Sequence, residues 1–425
     1  MKNLKIHTPT GLTDLLPPAY NQKRHIERQI ETIFERYGYS FVSSPALEYL
    51  AVFEGKGSIP VTEMYKLADR TGDMLALRPD MTPAVARMAV TQKLSGSTNH
   101  PVRLCYIEKA FRDHERFRGH ENEFTQAGAE LMGVSCPEAD AELISLAVQG
   151  LLASGLVHFR LDIGHVGFMP GILEELGAAL TSGDRENFIN HMIRRDYVAA
   201  EALAAKTKHI IPAGELLSEL TQLTGGTEIL NRAKKMTTNP KALASLQHLE
   251  DVYAILKDQG LSQYVLIDLS MTGQLDYYTG LIFKGYAKGT GSTVVDGGRY
   301  DNLLASFTDN GKPIPAVGFG IKIDGLLDAL RAQGQHFQSE SSDTLLVYEK
   351  DARTVALATA DIMRKQGLSL INSLQPGSLD ANKSYALKQN LKGIIYFANP
   401  DKIILINLET GQEQQVSVEE LKCMS

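Results

Sequence analysis

The stretch that decides the fold is "EFTQAGAELMG", residues 123–133. Its residues alternate in character, as in a β-strand whose two faces have different surroundings. One face carries Phe124, Gln126, Gly128, Glu130 and Met132, and the other carries Thr125, Ala127, Ala129 and Leu131. The second set is the packed face. On the first, Gly128 leaves room for a ligand, and Glu130 needs a cation or a donor because burying a lone carboxylate is costly. A polar pair between strands would explain the same residues without a ligand.

Strands are also predicted on both sides of this stretch. "VRLCYIEKAFR" (102–112) precedes it, across the charged loop "DHERFRGHEN". Others are predicted at 39–50, 74–80, 158–164, 264–270, 270–283, 291–304 and 316–323. Pro45 interrupts 39–50, and a proline in a sheet lies at an edge or a bulge. Because most connections are short, we predict an α+β fold with a mostly antiparallel sheet.

Helices are predicted between these strands. The first has one apolar face at helical spacing, made of Ile26, Ile30, Ile33 and Phe34. A second begins in "LRPDMTP", with Thr82 as N-cap and Pro83 at the first helical position. A third covers about 137–154.

The domain organisation follows from changes in composition. Residues 1–330 form the core, and 170–260, rich in Ala, Leu, Glu and Lys, form a helical insertion in it. The polar run at 331–342 is a linker. Residues 343–425 have a β-α-β pattern and form a small α/β domain.

Overall composition excludes several classes of protein. The 425 residues carry a net charge of −7, which disfavours nucleic-acid binding. Three separated cysteines fit neither a disulfide framework nor a zinc ribbon, and His114 and His120 have no metal-ligand spacing. With no apolar leader and no run long enough to span a bilayer, we expect a cytoplasmic protein without a metal or cofactor.

Polar residues near the predicted strand ends are the candidate site. Asp80 precedes a helix, where an acid is favourable with or without a ligand. Arg112 lies in a loop with further arginines and four acids, so a solvated hairpin tip is equally compatible. In "SMTGQLDYYTGLIF" (270–283), Tyr277 and Tyr278 stand between glycines, like a pocket wall. Together these residues suit a small cationic or zwitterionic ligand, and imidazole plus ammonium would fit.

Several motifs in this order resemble the core of histidyl-tRNA synthetase over about residues 8–330. They are "TGLTDLLP", "FVSSPALEYL", "LALRPDMTPAVAR", "EFTQAGAELMG", "LDYYTGLIF", "GGRYDNLL" and "AVGFGIKIDGLL". The resemblance implies a class II aminoacyl-tRNA synthetase-like fold, an antiparallel sheet flanked by helices that dimerises through the 39–50 region. It also implies histidine-binding residues, namely Asp80, Thr82, Arg112, Gln126, Glu130, Tyr277 and Tyr278, with Arg112 assigned to the carboxylate.

The departures from this pattern fall on groups that the family uses for ATP. His114 replaces a glutamate, and His120 and Asn122 stand where loop arginines are expected. Gly273 replaces an arginine ahead of the tyrosines. Asp324 and Gly325 replace the Glu-Arg pair that grips the triphosphate. Losing one such group typically costs about two to three orders of magnitude in rate, so adenylation should be negligible and no catalytic residue is assigned.

The pattern that remains resembles the synthetase-derived regulatory subunits of ATP phosphoribosyltransferase. This resemblance implies a non-catalytic protein that assembles with a short-form catalytic subunit in the first step of histidine biosynthesis and conveys histidine feedback. From Asp343 onward the chain has ten acidic and nine basic residues, a balance that suits protein contact better than RNA. A divergent histidyl-tRNA synthetase and a free-standing histidine sensor are the alternatives.

Overall fold

A computed structural model describes residues 4–55, 59–92, 100–113, 121–272, 278–335, 344–374 and 378–423. The chain divides into two compact units, Met1–His336 and Phe337–Ser425, and each is described by itself. Within the described ranges, no helix is both long and apolar enough to cross a membrane.

The first unit contains a large sheet and a small sheet, with twelve described strands in all. Its strands are β1 (Ser40–Phe41), β2 (Leu47–Tyr49), β3 (Lys66–Ala68), β4 (Met74–Leu77), β5 (Val102–Phe111), β6 (Glu123–Met132), β7 (Phe159–His165), β8 (Thr224–Gly225), β9 (Val265–Asp268), β10 (Leu281–Ala287), β11 (Thr293–Arg299) and β12 (Ala316–Lys322). Among the described residues, nine of them form one sheet in the order β1-β5-β6-β12-β11-β10-β7-β9-β8. Only the β1–β5 and β7–β9 pairs in it are parallel, so the predicted mostly antiparallel sheet is confirmed.

Helices pack around this sheet. They are α1 (Ala19–Arg36), α2 (Thr82–Thr91), α3 (Pro137–Ala153), α4 (Phe168–Glu175), α5 (Ser182–Arg194), α6 (Tyr197–Ala204), α7 (Pro212–Ser218), α8 (Thr227–Met236), α9 (Pro240–Asp258) and α10 (Ile323–Ala332). The predicted apolar face of α1 is confirmed, with Ile26, Ile30 and Phe34 fully buried. The predicted cap of α2 is wrong by one residue. Met81 is the N-cap, because the Thr82 hydroxyl is directed to Glu130 instead of to the helix backbone.

The segment predicted as one strand at 39–50 is divided at Pro45 between two sheets. Ser40–Phe41 pairs with β5 in the large sheet, and Leu47–Tyr49 pairs with β4 in a small sheet of order β2-β4-β3. Arg78, just after β4, holds the two parts together. Its guanidinium donates to the carbonyl oxygens of Ser44 (2.5 Å) and Lys109 (2.7 Å) and pairs with Glu108 (2.7 Å).

The strand predicted from 270 to 283 is shorter than expected. β10 begins at Leu281, and Tyr278 precedes it, so it does not belong to the strand. Tyr278 packs its ring over the neighbouring strand, where a Cβ on Gly298 would lie 2.8 Å from the ring. Gly273 and Tyr277 lie outside the described residues, as do His114 and His120.

A buried ionic cluster joins α3, α9 and β11. Asp140 is fully buried and pairs with Arg299 through Oδ1 and Nη2, 2.6 Å apart. The Nε2 atom of His248 lies 2.6 Å from Asp140 Oδ2, and the His248 ring packs edge-on against His165. Burial, followed by the adjacent His248, lowers the pKa of His165 to about 4.

The second unit is a small α/β domain. It contains β13 (Thr344–Tyr348), α11 (Arg353–Lys365), β14 (Leu370–Asn372), α12 (Leu379–Lys388), β15 (Gly393–Asn399), β16 (Lys402–Asn407), β17 (Glu413–Val416) and α13 (Val418–Cys423). Its described strands have the order β14-β13-β15-β16-β17. The linker predicted from 331 begins later, since α10 continues to Ala332. Residues 336–343 lie outside the described part of the chain.

Candidate functional site

One face of the large sheet carries a cavity of about 190 Å³. Part of its floor is formed by glycines, which lie in register with further glycines on neighbouring strands. Gly318 on β12 is paired with Glu130 on β6 and Gly298 on β11, and Gly320 is paired with Gly128 and Asp296. Because glycine has no side chain, the polar side chains of neighbouring residues can extend over these positions.

Atoms of neighbouring residues occupy the space that a side chain would need at these glycines. A Cβ on Gly318 would lie 1.6 Å from Oε2 of Glu130, and one on Gly320 would lie 2.0 Å from Nε2 of Gln126. A Cβ on Gly128 would lie 2.3 Å from the Tyr106 hydroxyl. Backbone oxygens also lie within 2.9 Å of such a Cβ at Gly318 and Gly128, so a side chain there would require the strand to shift, whereas at Gly320 it would require the Gln126 side chain to move.

Glu130 lies beneath one end of the cavity and is fully buried. Its Oε1 accepts hydrogen bonds from Thr82 (2.9 Å) and Tyr106 (3.3 Å), and its Oε2 accepts one from Tyr300. Burial raises the pKa of Glu130 to about 8, against the opposing effect of these hydroxyls. Among the described residues no cation pairs with Glu130, so its ionised form would be only partly compensated.

Two acceptors lie in the cavity wall, Asp80 just before α2 and Gln126 directly across from Lys322 in the β6–β12 register. Asp80 is nearly buried, and its Oδ1 accepts a hydrogen bond from the Met81 backbone N–H. Gln126 has its Nε2 over the floor, while its buried Oε1 has no hydrogen-bond partner in the described structure. A buried acceptor without a partner costs about 1–3 kcal/mol of stability, so this wall is complementary to a ligand that donates hydrogen bonds.

Arg112 lies along the wall near Asp80. Its Nε donates to the carbonyl oxygen of Pro79 (3.0 Å), and its guanidinium lies over the Phe124 ring, 5.4 Å from the centroid. These contacts hold the plane of the guanidinium against the wall.

The far end of the cavity carries opposite charges. Lys322 donates to Asp296 (2.7 Å) and to Thr293 (3.0 Å). Lys284 stands beside them, directly across from Asp296 in the β10–β11 register. Burial, together with the charges of Arg195 and Lys322, lowers the pKa of Lys284 despite the opposing charge of Asp296.

Most of the residues that sequence analysis singled out come together here. The cavity is lined by Asp80, Thr82, Arg112, Gln126 and Tyr278. Glu130 does not line it and reaches it only through the hydroxyls that it holds. Tyr277 lies outside the described residues.

Four residues in or beneath the cavity were not predicted as site residues from the sequence, namely Tyr106, Tyr300, Lys284 and Lys322. Tyr106 and Lys322 could have been found from strand periodicity, since each lies in register with a floor or wall residue of β6. Tyr300 lies two residues after a glycine pair in the motif "GGRYDNLL", which was not assigned to the site.

The size and donor set of the cavity limit the ligand. At about 190 Å³ it is smaller than the roughly 300–1,000 Å³ of typical drug-sized sites, so it suits a small metabolite. No group of three His, Cys, Asp or Glu side chains in the described ranges is arranged to hold a metal ion. The arrangement offers neutral hydroxyls, two acceptors and cations, which suit binding of a zwitterion.

Asp324 lies at the start of α10, and both of its carboxylate oxygens accept hydrogen bonds from other elements. Its Oδ1 accepts from Lys23 Nζ (2.7 Å) on α1, and its Oδ2 accepts from the Thr125 backbone N–H (2.7 Å) on β6. The carboxylate therefore ties two elements together. Gly325, next along the helix, has no side chain to offer.

Comparison with known sequences gives consistent relatives. The profile of the histidyl-tRNA synthetase family matches residues 11–326. A protein named ATP phosphoribosyltransferase regulatory subunit, from Acetivibrio thermocellus, is 36% identical over 422 residues, covering 99% of each chain. Its namesake from Ruminiclostridium cellulolyticum matches with the same identity and coverage.

Solved structures agree with these matches. The structure of an ATP phosphoribosyltransferase regulatory subunit/histidyl-tRNA synthetase from Bacillus halodurans superposes with a TM-score of 0.80 at 28% identity, covering 93% of this chain and 99% of the other. Histidyl-tRNA synthetase from Nostoc superposes with a TM-score of 0.82 at 20% identity, with 99% of each chain covered, and shows the fold alone. The class II synthetase-like fold expected from sequence is thereby confirmed.

Proposed function

The chain belongs to the family of ATP phosphoribosyltransferase regulatory subunits, and on this premise we propose that it has no catalytic activity of its own and senses histidine. In this proposal it assembles in the cytoplasm with a short-form catalytic subunit that performs the first step of histidine biosynthesis. The cavity on the large sheet binds histidine, and binding changes the activity of the partner.

The observation that carries this proposal is that the Asp80 carboxylate and the Gln126 amide, whose buried Oε1 has no partner in the described structure, line the same cavity. An ammonium group has three donors and a positive charge, which suits a wall with these acceptors. The adjoining hydroxyls of Thr82 and Tyr300 can exchange hydrogen bonds with an imidazole nitrogen, and Tyr278 forms part of the same wall. In this arrangement Glu130 acts through the hydroxyls that it orients.

The absence of synthetase activity is supported by the use of Asp324. Its two carboxylate oxygens accept from Lys23 and Thr125, so the position that resembles a triphosphate-gripping pair serves the fold. Gly325 follows it where the synthetase pattern has an arginine. His114 and Gly273, the other departures, lie outside the described residues.

We also propose that two copies associate through the 39–50 region. On the small sheet, Leu47 is paired with Leu77, and Leu75 is paired with both Tyr49 and Leu67. These residues therefore share one face. Leu47, Tyr49 and Leu67 remain 40%, 57% and 41% exposed, an apolar surface that a second copy would cover.

Mixing the chain with a short-form catalytic subunit tests the proposal. Transferase activity should require the mixture and should change when histidine is added. A tenfold difference in histidine affinity between two assembly states would supply about 1.4 kcal/mol of coupling. Sedimentation of the chain alone should show a dimer, and sedimentation of the mixture a larger species. Robust histidine-dependent ATP–pyrophosphate exchange by the chain alone would instead identify a divergent synthetase.

The variant Gln126→Met tests the binding site itself. Removing the acceptor should weaken histidine binding about 10–100-fold by calorimetry while leaving sedimentation of the mixture unchanged. Gln247→Met, on the exposed face of α9, is the matched control and should bind as the unaltered chain does. Equal affinities for both variants would contradict this assignment.

A further inference from the structure

Lys284 occupies a distinctive place on the polar face of the sheet. In register it stands between Asp296 on β11 and Asp162 on β7. It lines the cavity described above and also a second cavity of about 240 Å³, which lies against α5 and includes Arg195 and Asp268. Lys284 thus lines two neighbouring cavities.

The other cations of the first cavity are already engaged. Lys322 is held by Asp296 and Thr293, and Arg112 is held by Pro79 and Phe124. Lys284 differs, because among the described residues its side chain forms no hydrogen bond or salt bridge, although the charge of Asp296 acts on it from across the strand. Burial lowers its pKa, which shows that its surroundings compensate the ammonium charge incompletely.

We propose that Lys284 binds the carboxylate of the amino-acid ligand, in place of Arg112 as sequence analysis assigned. This inference rests on the proposed histidine site and names the group that gives it selectivity for an amino acid. Lys322 and Asp296 neutralise each other, whereas Asp80 and Gln126 remain as acceptors for a positive group and Lys284 remains as a donor for a negative one. A zwitterion supplies both, and the incoming carboxylate would restore to Lys284 the solvation that burial has removed.

Two ligands and three variants test this assignment by calorimetry. Histidine carries the carboxylate, and histamine has the same ring and amine without it. Lys284→Met should weaken histidine binding about 10–100-fold and leave histamine binding unchanged within about twofold. Lys288→Met, an exposed lysine four positions along the chain, should change neither, and Arg112→Gln should not discriminate between the two ligands.

The outcomes separate this inference from the proposed function. Failure of the unaltered chain to bind histidine would overturn both. Histidine binding that is unaffected by Lys284→Met would overturn only the inference and would indicate that Lys284 turns to Asp162 and the second cavity. Equal losses for histidine and histamine would show a structural role. A carboxylate-selective loss in Arg112→Gln alone would restore the assignment to Arg112.

Discussion

Glu130 and Asp140 are both fully buried carboxylates in the same unit, and the protein treats them differently. Asp140 is paired with the guanidinium of Arg299 and contacted by His248. Glu130 receives three hydroxyls, and none of the described cations pairs with it. Asp140 is enclosed between helices and strands, whereas Glu130 lies directly beneath the cavity.

The two carboxyl groups differ in whether a cation compensates them inside the fold. A buried charge compensated inside the fold gains nothing from an added molecule. Glu130 receives only neutral hydroxyls, and burial raises its pKa to about 8, so at neutral pH it is held mostly as the protonated carboxyl. This contrast predicts that the two clusters respond differently to substitution.

The largest effect is expected from Arg299→Met, which leaves Asp140 buried without its cation. Removing one member of a buried pair typically costs about 3–5 kcal/mol, and denaturant unfolding measures this loss. Arg331→Met, which removes the solvent-exposed pair with Asp328, is the control and should change the unfolding free energy by less than about 1 kcal/mol. Similar losses for the two variants would erase the proposed distinction between clusters.

An intermediate effect is expected from Gly318→Ala. The new Cβ would overlap Glu130 Oε2 and approach the Ala129 carbonyl oxygen to 2.9 Å, so side chain and strand must shift. Such overpacking typically costs about 1–3 kcal/mol and should also abolish measurable histidine binding. Gly325→Ala is the matched control, since its nearest neighbour would be 3.9 Å away. Retention of both stability and binding in Gly318→Ala would contradict the requirement for glycine at this position.

Per pH unit, the smallest effect is the change in stability that the titration of Glu130 contributes. Its pKa is about 8 in the folded chain and 4.5 for an ordinary glutamate, so within this window the folded state holds a proton that the unfolded state has released. The free energy of unfolding therefore falls as pH rises through the window, by at most about 1.4 kcal/mol per pH unit. Glu130→Gln, which cannot titrate, should show a shallower decline in denaturation series between about pH 5 and about pH 8. Parallel pH profiles would contradict the raised pKa.

Local pattern was enough to predict the sheet and much of the cavity wall. The alternation in 123–133 placed Gln126 and Glu130 on the polar face, and the packed face is confirmed by the buried Ala127 and Ala129. The expectation that Glu130 needs a donor is also confirmed, though its donors are hydroxyls from three distant segments.

What could not be predicted depends on register between strands far apart in sequence. Lys284 and Asp296 become neighbours only when β10 pairs with β11, and Lys322 reaches them from β12. Tyr300 comes to Glu130 from 170 positions away. Periodicity gives the face of each strand and contains no information on which strand lies beside it.

The short distance between Leu77 and Asp80 has a consequence for engineering this protein. Leu77 belongs to the exposed apolar face of the small sheet, and Asp80 belongs to the cavity wall, with Arg78 anchored between them. Three residues span at most about 11 Å even when fully extended. A backbone shift caused by redesigning the outer surface at Leu77 would therefore reach the cavity wall within three residues. Under the proposed function, substitutions at Leu77 that alter self-association should also alter histidine affinity.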